Sequence, residues 1–355
     1  MLALREAGYS ISLLIPDDGN YYAKLQMLGF YCHNNISSWK GQNPLQEFLL
    51  LLRLKRLIRT FRPDLVCSFT IKPNLYTAIA RRGTKIKQIA NITGLGYGFM
   101  RGSIAAKLFS MLYRFGFRNI DYIFFQNNDD YQFLLDAGII AERQCIDILP
   151  GSGVDLAQYP LTEMTQRGMI TFLYSGRLLG DKGVYELIAA FRKLQQQYDN
   201  IRLIVIGNYF FANPSAISPQ QINKWSKAGI ITYLGMVDNV AEIIAECDCV
   251  VLPSYREGMP RSLLEACSIG RPIITVDSIG CKDVVEDGIT GYLAKVKDVD
   301  SLAEAMIKFI ELPFADKVKM GINGRLKMER EFDQQIVTNK YLEVTQKNLA
   351  KSGSE

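Results

Sequence analysis

Apolar positions along the chain fall into two patterns that take turns. Short continuous runs at 10–16, 64–69, 86–92 and 121–126 are rich in Ile, Val, Leu and Phe and too short for helices, so they predict strands. Between them, apolar residues recur at helical spacing over 45–61, 74–82, 103–117 and 129–137. Pro73 stands where one of these helices begins, and Gly138 closes another as a C-cap. Unbroken apolar strands separated by helices predict a parallel sheet covered on both faces.

A turn-rich stretch, Gly151-Ser-Gly-Val-Asp-Leu-Ala-Gln-Tyr-Pro160, interrupts the alternation, which resumes after Gly168. Strands are predicted at 170–175, 201–206, 231–234, 249–252 and 272–276, with helices at 184–197, 239–247 and 261–269. From about 302 to 350 the pattern is helical, and the tail Lys-Ser-Gly-Ser-Glu frays. The expected architecture is α/β, with two doubly wound units in tandem facing a cleft. Its boundaries are 1–158, 159–330 and a C-terminal helix over 331–355 that returns toward the first domain. Ligands of such folds sit beyond the carboxyl ends of the strands.

At 355 residues the chain is long enough for two cores, and 48% apolar against 22% charged residues excludes a disordered or fibrous protein. No stretch approaches the roughly 20 apolar residues that span a bilayer, and the start lacks the layout of an export signal. The seven cysteines form no C-x-x-C pair and lie mostly in apolar runs, which indicates a reducing cytoplasm. Cys247 and Cys249 alone make a poor metal site, so no metal is expected. Charge is divided unevenly. Residues 1–150 hold 18 Lys and Arg against 11 Asp and Glu, a net +7, while the remainder holds 23 against 25. The basic half points to an anionic partner. Within it, 45–61 and 100–118 are basic, strongly apolar helices of a kind that can lie among lipid headgroups.

Candidate chemistry gathers in the second half. Glu257-Gly-Met-Pro-Arg-Ser-Leu-Leu-Glu265 directly follows the strand at 249–252, with Pro260 suited to the first helical position. Gly258 removes a Cβ from the path of a ligand, and the first-turn amides favour an anion. Glu257 and Glu265 suit hydroxyl donors, since an ionised carboxylate accepts more than one. The combination fits a molecule with phosphate at its centre and hydroxyls at both ends. Gly176-Arg-Leu-Leu-Gly-Asp-Lys-Gly183 places Arg177 and Lys182 on a glycine-punctuated turn after a strand. It is neither the phosphate loop of NTPases nor a G-x-G-x-x-G dinucleotide fingerprint.

In order and spacing these segments resemble the retaining GT-B glycosyltransferases of family 4. The resemblance runs through Gly151-Ser-Gly-Val-Asp155, Gly176-Arg177…Lys182-Gly183, Gly235-Met-Val-Asp-Asn239, Ser254 to Arg261, the Glu257/Glu265 pair, Gly280-Cys-Lys-Asp283 and Glu286 to Gly291. Phe69-Thr-Ile-Lys-Pro-Asn74 and Asn91-Ile-Thr-Gly-Leu-Gly-Tyr-Gly98 look like the subgroup that elongates undecaprenyl-diphosphate-linked glycans, which includes N-acetylgalactosaminyltransferases. The resemblance implies that Arg177 and Lys182, beside Gly176, clasp a donor diphosphate. It gives Glu257 the donor sugar, Glu265 the ribose, and Gly235 to Val237 the edge of the base. The stretch Gly258, Met259, Pro260, Arg261 and Ser262 contacts sugar and phosphates. Arg177, Lys182 and Glu257 are then the catalytic set, and a UDP-sugar is the co-substrate with no metal or other cofactor.

The implied product is a lipid-linked glycan of O-antigen or capsule assembly, made at the inner face of the plasma membrane by an enzyme in peripheral contact with anionic lipid. No nucleic-acid partner is implied. The family's N-terminal histidine has no counterpart, because the only histidine, His33, lies in an early segment that does not match. Lys72, Asn74, Thr93 and Gly94 are the acceptor-side candidates instead. Family members also open with a strand and glycine loop ahead of the segment matching 2–8, so the sheet is expected to lack its first, central strand. Two other readings keep the same residues: a sugar-nucleotide epimerase of this fold, and an inactive nucleotide- or glycan-binding relative.

Overall fold

A computed structural model describes residues 1–16, 20–34, 44–95, 104–142, 144–211 and 213–350. The chain divides into two compact units, residues 1–148 with 338–355, and residues 149–337.

The first unit runs α1 (Leu2–Glu6), β1 (Ser12–Leu14), α2 (Asn20–Met27), β2 (Tyr31–His33), α3 (Pro44–Phe61), β3 (Leu65–Phe69), α4 (Ile71–Ala80), β4 (Lys87–Ile92), α5 (Ile104–Phe117), β5 (Tyr122–Phe125), α6 (Asn128–Asp136) and β6 (Cys145–Ile148). Strands β3-β4-β5-β6 form one parallel sheet, while β1 and β2 pair only with each other. The edge of β3 away from β4 therefore carries no strand among the described residues. Strand β5 is wholly buried and β4 nearly so, which is why both read as unbroken apolar runs. Helix α4 packs on β3 and β4, with α3 and α5 both packed beside it. Asn127 caps α6, its side chain accepting from the Asp130 amide at 2.8 Å. Gly138 follows that helix with φ of 62°, which a glycine adopts without strain.

The second unit contains β7 (Ile170–Ser175), a 3₁₀ turn (Gly180–Lys182), α7 (Val184–Leu194), β8 (Ile201–Ile206), α8 (Pro219–Lys227), β9 (Thr232–Gly235), α9 (Val240–Glu246), β10 (Cys249–Leu252), α10 (Arg261–Ile269), β11 (Ile273–Val276), β12 (Gly291–Ala294), α11 (Val299–Glu311), α12 (Phe314–Lys327) and a π-helical turn (Met328–Phe332). The last helix, α13 (Gln334–Ala350), starts in this unit and from Thr338 belongs to the first. Its six strands are parallel in the order β12-β11-β10-β7-β8-β9. The order reverses between β7 and β10, so their carboxyl ends flank the switch point of the sheet. Phe172 on β7 meets Phe191 of α7 and Phe309 of α11 edge-on, at 6.3 and 5.9 Å between centroids.

The boundaries differ from those expected at 158 and 330. Residues 149–158 belong to the second unit because Val154 is sewn to its far end: its amide donates to the Phe332 carbonyl at 2.8 Å, and its carbonyl accepts from Gln334 at 3.0 Å. The same pair of bonds carries the second unit to Val337. Pro260 also differs, lying at the N-cap of α10 rather than inside it. Strands β2, β6 and β12, each only three or four residues long, were not legible in the apolar pattern.

Arg271 fastens the interior of the second unit. It is 1% exposed, and its guanidinium donates to the carbonyls of Cys247, Thr162, Glu163 and Ala245 at 2.5–3.2 Å. Substituting Arg271→Met leaves those carbonyls without a donor. The expected cost is on the order of 3–5 kcal/mol, read as a lower urea midpoint for the second unit.

Candidate functional site

Strand β7 ends at Ser175, and the chain turns through Gly176 and Arg177 into the 3₁₀ turn that bears Lys182. Main-chain proximity dictates this path. A Cβ on Gly207, which follows β8 with φ of 146°, would overlap the Gly176 carbonyl. Below the turn, the buried Tyr174 hydroxyl donates to the Arg177 carbonyl at 2.8 Å. Burial raises that hydroxyl's pKa well above the usual tyrosine range, Glu257 and Asp181 raise it further, and Arg177 opposes them. Arg177 itself is exposed, its guanidinium 5.4 Å from the centroid of Phe210 in the loop after β8.

Strand β10 ends beside β7 and leads into the segment 253–260. Four contacts hold this segment in place. Gly183, in the left-handed region at φ 72°, leaves no space for a Cβ against the Pro253 carbonyl. The Tyr255 amide donates to the Asp181 carbonyl at 3.0 Å, and its hydroxyl to Glu186 at 2.6 Å. The Glu257 amide donates to the Ile279 carbonyl at 3.0 Å. The outcome is that Lys182 Nζ donates directly to Glu257 Oε1, with the two side chains only 11% and 18% exposed. Two motifs 75 residues apart in sequence thus share one ion pair at the switch point of the sheet.

Gly258, Met259 and the buried Pro260 follow at the tip of α10, where Met259 packs against Gly151. Arg261 is exposed, Ser262 half-buried, and Arg261 reaches Glu265 one turn on at 3.3 Å. The Tyr159 hydroxyl lies within electrostatic reach of the same carboxyl, and its own pKa is pushed up to about 12, first by burial and then by Glu265. Burial also raises the Glu265 pKa, against the pull of Arg261 and Tyr159. Gly235 and Val237 lie half-buried at the end of β9, with Gly235 accepting from the Gly207 amide at 2.8 Å. The second-unit residues singled out in the sequence therefore line the carboxyl ends of β10, β7 and β9. The arrangement offers two cations, a helix tip and two carboxylates, suited to an anion that carries hydroxyls.

The acceptor-side residues of the first unit are placed differently. Asn74 is fully buried, its amide donating to the Asn91 carbonyl at 2.9 Å, so it is a core residue and presents nothing to a ligand. Lys72 is paired with Glu47 at 2.6 Å. Thr93 and Gly94 are half-buried at the end of β4; Gly96, Tyr97 and Gly98 of that motif lie outside the described residues. His33 sits against Phe61 and Tyr31, at 4.4 and 4.7 Å between centroids. Tyr174, Tyr159 and Phe210 were missed in the sequence. Tyr174 reads as an ordinary strand residue, and Tyr159 and Phe210 lie in segments without period.

Comparison with known proteins bears on the family and the fold. Residues 165–327 match the family described as glycosyl transferases group 1, and residues 1–127 match glycosyl transferase 4-like. The chain is a glycosyltransferase built from these two domains. It is 24% identical over 360 residues to the N,N'-diacetylbacillosaminyl-diphospho-undecaprenol alpha-1,3-N-acetylgalactosaminyltransferase of Campylobacter jejuni, covering 96% of this chain and 92% of that protein. It is 29% identical over 164 residues to the capsular polysaccharide biosynthesis glycosyltransferase CapM of Staphylococcus aureus, covering 46% of this chain and 42% of that one. Among solved structures, sucrose-phosphate synthase from Thermosynechococcus elongatus superposes with a TM-score of 0.81 at 18% identity, over 98% of this chain and 91% of that one. Anabaena HepE in complex with UDP and glucose gives 0.78 at 18% identity, over 95% and 91%. The fold is accordingly GT-B, with two parallel-sheet α/β domains.

Because the folded chain holds the Glu265 proton more tightly than the unfolded chain, this group's contribution to stability is lost as pH rises through the carboxylate range. Glu265→Gln is therefore expected to raise Tm at neutral pH and to flatten the dependence of Tm on pH through the carboxylate range. Calorimetric melting of the variant across that range checks both.

Proposed function

We propose that this glycosyltransferase is a retaining enzyme that moves a hexose or N-acetylhexosamine, with N-acetylgalactosamine favoured, from a UDP-sugar to an undecaprenyl-diphosphate-linked glycan. Its setting is O-antigen or capsule assembly, at the cytoplasmic face of the plasma membrane and in peripheral contact with anionic lipid. The observation that carries this reading is the Lys182–Glu257 pair at the sheet's switch point, beside Arg177 and the tip of α10. The named activity of the Campylobacter relative supports the acceptor and sugar, and the HepE complex supports UDP.

In this mechanism a donor diphosphate draws Lys182 away from Glu257, and Arg177 closes on the same phosphates. Glu257 is then released to accept hydroxyl protons of the donor sugar, while Glu265 accepts those of the ribose. Gly258 and the α10 tip add main-chain donors, and Gly235 and Val237 border the base. As the bond from the anomeric carbon to phosphate oxygen breaks, charge grows on the β-phosphate. Arg177 and Lys182 stabilise it in place, the role a divalent cation has in other transferases. The acceptor hydroxyl attacks from the face the phosphate leaves, and its proton passes to the departing phosphate oxygen. Configuration is retained without a protein base.

Arg177→Ala and Lys182→Ala are each expected to lower kcat on the order of 10²–10³-fold, measured as UDP release coupled to labelling of the lipid acceptor. EDTA should leave the wild-type rate unchanged. Screening nucleotide sugars against a lipid-acceptor extract tests the assignment directly. Transfer from UDP-sugars with an α-linked product supports it; inverted product, or turnover with other nucleotides alone, overturns it.

A further inference from the structure

The two cations of the turn after β7 are held in different ways. Lys182 donates to a carboxylate, so a ligand must compete with Glu257 for it. Arg177 lies over the ring of Phe210, its guanidinium 5.4 Å from the centroid. An aromatic ring attracts a cation through its π face and leaves the guanidinium N–H groups their capacity for phosphate oxygens. The second cation is thus held without a competitor for its donors.

Phe210 is itself anchored. Residues 208–211 and 213–217, the described part of the loop after β8, run back along the turn that bears both cations. The Leu178 amide donates to the Asn208 carbonyl at 3.2 Å, and the Leu178 carbonyl accepts from the Ile217 amide at 3.0 Å, so both ends of the loop close on one residue. The Gly180 amide donates to the Ser215 carbonyl at 2.7 Å, and the Ser215 hydroxyl to Asp181 at 3.0 Å, next to Lys182. Nearer the tip, the Asn213 amide donates to the Phe210 carbonyl at 3.0 Å. The neighbours of Phe210 are engaged with each other and with β9. Tyr209 and Phe211 stack with centroids 5.6 Å apart, and Tyr209 meets Tyr233 edge-on at 5.8 Å.

We propose that Phe210 is a positioning residue for the transfer reaction, a ring that keeps Arg177 at the carboxyl end of β7 with its N–H edge open to the donor diphosphate. Arg177 is exposed, and a free arginine side chain loses much rotamer freedom when it grips a phosphate. Apparent affinity falls with the fraction of time the cation spends in the competent arrangement, and an anchored ring raises that fraction before the donor arrives. Because the loop is bonded at Leu178, Gly180 and Asp181, ring and turn keep their spacing. The proposal rests on the reading of Arg177 as a ligand of the diphosphate, and adds to it what holds that cation between turnovers.

Calorimetric titration of the full chain with UDP, and competition by inorganic pyrophosphate, tests it. F210L keeps an apolar side chain but loses the π face, and F210Y restores that face. F210L is expected to weaken UDP and pyrophosphate by the same factor, about two- to fivefold, while F210Y binds both as wild type does. On an R177A background F210L should change neither affinity, since the ring then has no cation to hold. Should F210L melt below wild type, the R177A background decides, because a packing defect would weaken UDP there too. UDP affinity unaltered in F210L, equal loss with and without Arg177, or failure of F210Y to restore binding overturns the proposal. So does loss of UDP affinity with pyrophosphate unaffected, the mark of a ring that stacks on the base. A wild type that binds neither probe sinks the donor reading itself and the proposal with it.

Discussion

The ion pair between Lys182 and Glu257 is the contact around which the second unit is arranged. A lysine and a carboxylate that have both given up most of their water are stable only while each has the other. Holding them together requires Gly183, which lets the turn approach Pro253, and the amide bond from Tyr255 to the Asp181 carbonyl. Neither group can be withdrawn without a replacement of matching charge or hydrogen-bonding capacity. A phosphate for the lysine and a hydroxyl for the carboxylate provide both at once. A ligand bearing only one of the two would leave a buried partner uncompensated, so the pair selects for both chemistries in one molecule.

The sheet explains why this pair could form at all. Consecutive strands β7, β8 and β9 extend one way from β7, and β10, β11 and β12 lie the other way. Loops leaving β7 and β10 therefore part from each other without a helix crossing the space above them. The motif after β7 supplies cations, the motif after β10 a carboxylate and a helix tip, and adjacent strands carry them into contact.

Much of this was legible because it depends on local rules. Strands β4, β5, β7, β8, β10 and β11 are buried on both faces and announce themselves as apolar runs, and glycines punctuate the turns where φ is positive. The Glu257–Glu265 spacing on a helix start was readable for the same reason. What escaped depends on distant partners. Asn74 resembled an acceptor-side polar residue because sequence cannot reveal that it is buried with its amide donating to the Asn91 carbonyl. The boundary near 158 failed because two main-chain bonds from Val154 to a segment beyond 330 leave no trace in side-chain pattern. Tyr159 and Tyr174 carry their roles through one hydroxyl each, and nothing in a periodic pattern distinguishes them from other buried tyrosines.

The near-collision of Gly176 and Gly207 also bears on how such an enzyme can diversify. With Gly207 confined to hydrogen by the Gly176 carbonyl, this part of the floor beneath Arg177 is bare peptide and offers natural variation no side chain to exchange. New donor preferences would have to arise at the rim, at Phe210, Met236 or Val237, where side chains are only partly enclosed. Descendants of this scaffold would then differ at that rim while inheriting the same main-chain floor.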